Sequence, residues 1–263
     1  MALPTTRLGN LTVTRLMLGG NPISGFSHAG SERSKAMVDY FTAENVKALF
    51  RRCEDAGITT AVLRGDKHIM RLLTEYWNEG GRLQWIAQTA PEYQPMTNVN
   101  HIVGFGAKAA YLHGGAIDDA FADGDLDGPK RQFDAIRERG LPVGCASHVP
   151  DNVRRIVELG WDPDFFCICL YNIPGYRGQL SPSQDEKFVE GDRAKALALF
   201  KEIDKPCIAY KILGAGRCDP RESFEEVCAH IKPIDCINLG MYPPDNPQMI
   251  EQNVRLAEEL LPR

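Results

Sequence analysis

Residues 141–172 read LPVGCASHVPDNVRRIVELGWDPDFFCICLYN, and this stretch decides the fold. LPVGCASH and FFCICLYN are short runs of continuous apolar character. Strands of a parallel sheet, buried on both faces, show that pattern in place of strict alternation. Between them lies an amphipathic segment, 151–159, with Asp151 placed to cap its start and Gly160 to stop it. Strand, helix and strand in that order make a right-handed crossover onto a parallel neighbour.

The same unit recurs in both directions. Upstream lie RLMLGGNP (15–22), TTAVLRGD (59–66), LQWIAQTA (83–90) and AAYLHGGA (109–116); downstream lie PCIAYKIL (206–213) and DCINLGMY (235–242). Helical patterns separate them. They are 42–56, with Thr42 as N-cap and Gly57 as stop, then 68–79, 128–139, 192–203, 219–231 opening on Asp219-Pro220, and 246–261 with Pro247 just inside its start. The third crossover, 95–106, is short and glycine-containing and reads as abbreviated. The polar stretch 173–191 reads as a long loop, of the kind that is either a functional lid or disordered. Eight strand runs in 263 residues favour closure into a single α/β domain, 1–263, a (β/α)8 TIM barrel, over an open doubly wound sheet.

The net charge of −5 comes with no basic block, so nucleic acid and anionic membrane surfaces are not expected partners. No run approaches the roughly 18 apolar residues of a membrane span, and MALPTTRLGNLTVTRL lacks the apolar core of a signal peptide. Eight cysteines without a C-x-x-C pair read as buried free thiols in a reducing compartment, which points to the cytoplasm. A small-molecule substrate is the expected partner, and the composition is silent on oligomeric state.

Catalytic groups in such a barrel come from the C-terminal ends of the strands and the loops that follow. That rule selects Asn21 and His28, then Arg64, Asp66 and His68, then Gln88 and Glu92, then His113, His148, Tyr171, Asn172, Lys211 and Tyr242. The catalytic candidates are His113, Lys211, Arg64 and Asp66; the substrate-binding candidates are Asn21, Gln88, Tyr171, Asn172 and Arg217. Imidazole serves both as metal ligand and as proton shuttle. His68, His113 and His148 are the candidate ligands for a divalent metal, Zn, Mn or Fe. No H-x-H or H-E-x-x-H spacing supports that set, and each histidine also reads as a hydrogen-bonded residue at a helix start.

Lys211 in CIAYKIL reads as an oxyanion clamp, a general base or a Schiff-base amine, or else as a salt-bridge partner of Asp66. Arg64 reads as a carboxylate or phosphate contact or as a structural ion pair. The loop Gly214-Ala215-Gly216-Arg217 reads either as a phosphate cradle or as a tight turn.

Several segments, in order along the chain, resemble the aldo-keto reductase superfamily. RLGNLTVTRLMLGGN resembles its N-terminal hairpin and first barrel strand. AAYLHGG resembles its fourth strand, with His113 at the position of the catalytic-site histidine. GCASHVPDNVRRIVELG, IAYKILGAGR and INLGMYPPDNPQMIEQNVRLAEE resemble the fifth, seventh and last units. The resemblance implies the barrel and the short hairpin. It does not carry the reductase chemistry with it. Val62 stands at the position of the family's aspartate, Lys67 near that of its tyrosine, and Gln88-Thr89 where its lysine is expected. GMYPPDNP replaces the basic motif that holds the cofactor phosphate, so NAD(P) binding is not implied.

The polar groups at the strand ends suit proton abstraction next to a carbonyl, on a small polar carbonyl or carbohydrate metabolite, with or without a metal. Isomerisation or elimination would follow. The alternatives are an NAD(P)H-dependent carbonyl reductase with a replaced tetrad, and a catalytically silent barrel that binds a ligand or partner.

Overall fold

The computed structural model describes residues 2–172 and 188–262. An antiparallel hairpin, β1 (Thr5–Leu8) and β2 (Leu11–Thr14), opens the chain. Eight parallel strands then close into a barrel: β3 (Leu16–Gly19), β4 (Thr60–Arg64), β5 (Gln84–Gln88), β6 (Ala109–Leu112), β7 (Val143–Ser147), β8 (Phe165–Cys169), β9 (Cys207–Tyr210) and β10 (Cys236–Gly240). They neighbour one another in chain order, and β10 pairs with β3 to complete the ring. Each of the eight apolar runs forms one strand.

Alternate residues of each strand point inward. The interior is filled by Met17, Val62, Ile86, Ala109, Tyr111, Ala146, Phe165, Cys167, Ile208 and Cys236. Leu8 and Val13 of the hairpin join this cluster, plugging the N-terminal end. The open end is therefore the C-terminal one. Arg15, only 1% exposed, locks the plugged end. Its guanidinium donates to the backbone carbonyls of Asp235 (2.6 Å), Lys232 (2.9 Å) and Pro262, tying the first strand to the chain's last turn.

The helices are α1 (Ser31–Tyr40), α2 (Ala43–Asp55), α3 (Lys67–Asn78), α4 (Pro95–Gly104), α5 (Gly114–Asp123), α6 (Asp127–Glu138), α7 (Pro150–Glu158), α8 (Glu190–Glu202), α9 (Pro220–His230) and α10 (Met249–Leu260). Thr42 and Asp219 cap α2 and α9 as expected, accepting from the backbone N–H of Asn45 and Glu222. Four expectations are corrected. The third crossover is a full helix, with Pro95 in its first turn and the Gln94 side chain accepting from Thr97 N–H. Asp151 does not cap α7, which already starts at Pro150. The last helix starts at Met249 rather than 246, leaving Pro247 in the preceding turn. Lys211 lies beyond the end of β9, not within it. Helices α1 and α5 were not anticipated. Most of the expected long loop, residues 173–187, lies outside the described residues.

No described helix is long and apolar enough to cross a membrane. All eight cysteines are free; six are buried, and Cys218 and Cys228 are half-buried.

Candidate active site

The inward parity of the strands continues past the apolar core and delivers polar groups to the mouth. Arg64 follows Val62 by two, Gln88 follows Ile86, His113 follows Tyr111, His148 follows Ala146, Tyr210 follows Ile208 and Asn238 follows Cys236. All six line one cavity of about 240 Å³ at the C-terminal ends of the strands. Asn21, His28 and Lys211 line it as well.

His113 is both the exit of β6 and the N-cap of α5. Its Nδ1 accepts the backbone N–H of Ala116 at 3.4 Å. The neutral ring therefore carries its proton on Nε2. Burial pushes its pKa down to about 3, and His148, Arg64 and Lys211 push the same way. A helix N-terminus likewise disfavours a cation. His113 is thus a neutral imidazole at neutral pH.

His148 has the opposite tautomer. Its Nδ1 lies 2.9 Å from Oδ2 of Asp118, a residue of α5. The same carboxylate takes the His148 backbone N–H at 3.0 Å, the Asn152 amide at 3.0 Å and the Ser147 hydroxyl. Burial alone would raise the Asp118 pKa, but these donors outweigh it and hold it below the usual range. An ionised Asp118 can only accept, so Nδ1 of His148 must donate. Its Nε2 has no hydrogen-bond partner among the described residues. Burial lowers the His148 pKa, with Lys211 adding to the effect against the pull of Asp118.

Gly114 makes this arrangement possible. A Cβ there would lie 3.1 Å from Cε1 of His148 and 3.3 Å from the Tyr210 hydroxyl. Tyr111 and Tyr210 are phenols whose pKa burial raises well above the ordinary value, so both stay protonated.

Arg64 is only 11% exposed in its side chain and is held on two sides. Nε donates to Asp66 at 3.2 Å and Nη2 to Glu92, while the guanidinium lies 5.2 Å from the centroid of the Phe26 ring. Burial opposes its charge, but Glu92 and Asp66 outweigh burial and raise its pKa. Lys211 adopts φ +61° and its Nζ lies 5.7 Å from the centroid of the Tyr210 ring. His28 (φ +55°) and Ala215 (φ +58°) share this left-handed backbone and also line the cavity. Such strain in non-glycine residues concentrates at functional sites.

Five candidates are elsewhere. Asp66 caps α3 through Ile69 N–H at 2.9 Å and anchors Arg64, outside the cavity lining. His68 is exposed on the first turn of α3. Tyr171 is buried beside Arg193 Nη1 (3.0 Å) and Cys218 Sγ (3.5 Å), away from the mouth. Asn172 is exposed, its backbone N–H on Asp192. Arg217 donates to the carbonyls of Gly214 (3.0 Å) and His28 (3.4 Å), fastening two loops. The expected metal triad is therefore not assembled. Among the described residues no group of three or more His, Cys, Asp or Glu side chains is placed to hold a metal ion.

Asp118, Tyr210 and Asn238 escaped the sequence reading. Parity along β9 and β10 would have found the last two. Asp118 has no such signal, because only the packing of α5 on β7 brings it to His148. The Oδ1 of Asn238 is buried without a hydrogen-bond partner, against the bare Cα of Gly19.

No protein-family model matches the chain, and no curated protein matches it in sequence. Solved structures match over nearly all of it. A Pseudomonas aeruginosa protein provisionally assigned to the aldo-keto reductases aligns at 14% identity and TM-score 0.64, covering 97% of this chain and 95% of its own. An aldo-keto reductase from Bacillus halodurans, in its holo form, aligns at 12% identity and TM-score 0.63, covering 99% and 93%. N-acetylneuraminic acid synthetase from Leptospira borgpetersenii aligns at 9% identity and TM-score 0.54, covering 98% and 90%. At these identities the likeness establishes the fold alone, a closed (β/α)8 barrel.

Proposed function

We propose that the protein is an acid–base enzyme that removes a proton from the carbon next to the carbonyl of a small polar metabolite. One observation carries this reading: two neutral imidazoles of opposite tautomer line one mouth. His148, its Nδ1 committed to Asp118, offers Nε2 as a base. His113, its Nδ1 accepting from Ala116, offers Nε2–H as a donor.

A carbonyl oxygen placed on His113 brings the adjacent C–H toward His148. The C–H pair moves into the C–C bond while the carbonyl π pair moves onto oxygen. The developing negative charge falls on His113 Nε2–H in the field of Arg64 and Lys211, whose positive charges reach His113. Return of the proton to the other face, or to the neighbouring carbon, gives epimerisation or isomerisation. Departure of a group from the next carbon gives elimination.

His113 and His148 supply only two nitrogen donors for a metal, and exposed His68 does not complete the set. The reductase positions do not fit either: Val62 is a buried wall residue and Lys67 lies over the Phe105 ring on the outside.

The test is proton exchange in D2O, followed by NMR, on a panel of ketoses, oxo acids and hydroxyketones. Enzyme-dependent loss of the C–H signal beside the carbonyl is expected, and its disappearance in His148→Ala. Oxidation of NADPH by these carbonyls without any exchange would replace this reading with the reductase one.

A further inference from the structure

The mouth also defines a substrate class, an inference that rests on the acid–base reading of the same site. Neither arginine there selects an anion. Arg33 is matched by Asp245, and Arg64 by both Asp66 and Glu92. Phosphate is not provided for either. Barrels often bind it on backbone N–H groups of the loops after the seventh and eighth strands. In the loop after β9 those groups are taken. Gly214 N–H donates to Lys211 O (2.9 Å), and the N–H groups of Gly216 (2.9 Å), Arg217 (3.0 Å) and Cys218 (3.2 Å) donate to Leu213 O.

What the mouth leaves unsatisfied is a neutral amide. Asn238 lines the cavity, and neither end of its side chain has a hydrogen-bond partner among the described residues. Its Oδ1 is buried against Gly19, where a Cβ would stand only 2.9 Å from it. Its Nδ2 is the end left open to the cavity. Nearly all buried polar groups in proteins are paired, so an orphaned amide in a cavity wall points to a ligand that pairs it. A hydroxyl suits either end, because it both donates and accepts. It can take the Nδ2–H as it stands, and the soft terminal torsion of asparagine lets Oδ1 turn toward it.

Asn238 is also well placed. Its strand, β10, lies across the ring from β6, from which His113 emerges. A chain with its carbonyl on His113 therefore reaches Asn238 with its far end. Phe26 stands at the same mouth, 39% exposed, and offers an apolar face to the C–H groups of such a chain.

We propose that the substrate is an uncharged, hydroxylated carbonyl compound of sugar-like chemistry. Its carbonyl oxygen meets His113, and a hydroxyl at its far end binds the amide of Asn238. Asn238 is then a specificity residue. It moves no proton and decides which carbonyl compounds are held for the bases. A site built to bond a hydroxyl rejects the analogue that lacks it, because its own polar group is then left unpaired.

The test compares three four-carbon ketones. Erythrulose carries the remote hydroxyls, 1-hydroxy-2-butanone lacks them, and 2-oxobutanoate bears a carboxylate beside its carbonyl. Ligand-observed NMR titration of the full-length protein should show erythrulose binding at least about ten-fold more tightly than either. Asn238→Leu, similar in size but unable to hydrogen-bond, should erase that preference, and Asn238→Ser should keep part of it. Should Asn238→Leu fail to fold by circular dichroism, Asn238→Ala carries the same expectation. Erythrulose binding no more tightly than 1-hydroxy-2-butanone, 2-oxobutanoate binding most tightly of the three, or a preference intact in folded Asn238→Leu would overturn the proposal. Exchange of the C–H protons beside the erythrulose carbonyl in D2O reports the acid–base reading separately. Asn238-dependent binding without exchange removes that reading and keeps the hydroxyl site. Exchange of erythrulose and 1-hydroxy-2-butanone at equal rate and equal affinity removes the hydroxyl site and keeps the base.

Discussion

Asp118 holds His148 twice: its Oδ2 lies 2.9 Å from the ring Nδ1 and 3.0 Å from the backbone nitrogen of the same residue. One carboxylate thus fixes both the position of the residue and the tautomer of its ring. Ser147 and Asn152 occupy the other oxygen, so Asp118 itself has little freedom to move. An imidazole held this way is a base whose lone pair has one direction to point.

Asp118→Asn should therefore keep the fold and lose the chemistry. An amide in place of the carboxylate no longer compels Nδ1 to donate. The exchange rate should fall on the order of 10³-fold, with the circular dichroism spectrum unchanged. A loss of less than a few-fold would show that Asp118 only packs.

The low pKa of His113 sets a pH dependence of stability. The folded value is about 3 against 6.5 in the unfolded chain. Above the unfolded value both states are neutral and the full stability is present. As pH falls below it, the unfolded chain takes up a proton that the folded chain refuses. Stability should drop by about 1.4 kcal/mol per pH unit from this group, down toward the folded value. His148, shifted in the same direction, adds to the loss. His113→Asn keeps a side-chain cap on α5 and should flatten the slope in urea titrations between neutral and mildly acid pH. Identical slopes in both proteins would contradict it.

Gly114→Ala probes the fit of α5 against His148. Alanine is the better helix former by about 1 kcal/mol. Its Cβ would meet the His148 ring at 3.1 Å and the Tyr210 hydroxyl at 3.3 Å, so the ring must shift. Stability should change by no more than about 1 kcal/mol, while the exchange rate falls at least about ten-fold. A fully active Gly114→Ala would place the working position of His148 elsewhere.

The fold was legible because each barrel strand is buried on both faces and so reads as an unbroken apolar run. Caps such as Thr42 and Asp219 were legible because capping is local. Helix α5 was hidden by Gly114-Gly115, which reads as a turn; its cap is His113, an unusual residue for that place. Strand-end position found Arg64, Gln88, His113 and His148. It over-reached to His68, which lies on the first turn of α3, and to Tyr171, two residues past the end of β8. Asp118 was illegible, since its role exists only through the packing of a helix on the neighbouring strand.

The buried Arg15 offers a control at the opposite end of the barrel. It satisfies three backbone carbonyls there. Arg15→Met should cost about 3 kcal/mol or more in urea unfolding, by stranding buried polar groups. The exchange rate measured below the unfolding transition should not change. A matching loss of rate would show that the hairpin end controls the mouth.

Histidine tautomers can be read directly by nitrogen-15 NMR at neutral pH, before any substrate is known. His148 should carry its proton on Nδ1 and His113 on Nε2, both rings neutral. Asp118→Asn should disturb the first assignment and leave the second. Two rings in the same tautomer, or a protonated imidazolium at either position, would contradict the pairing of base and donor from which the proposed chemistry follows.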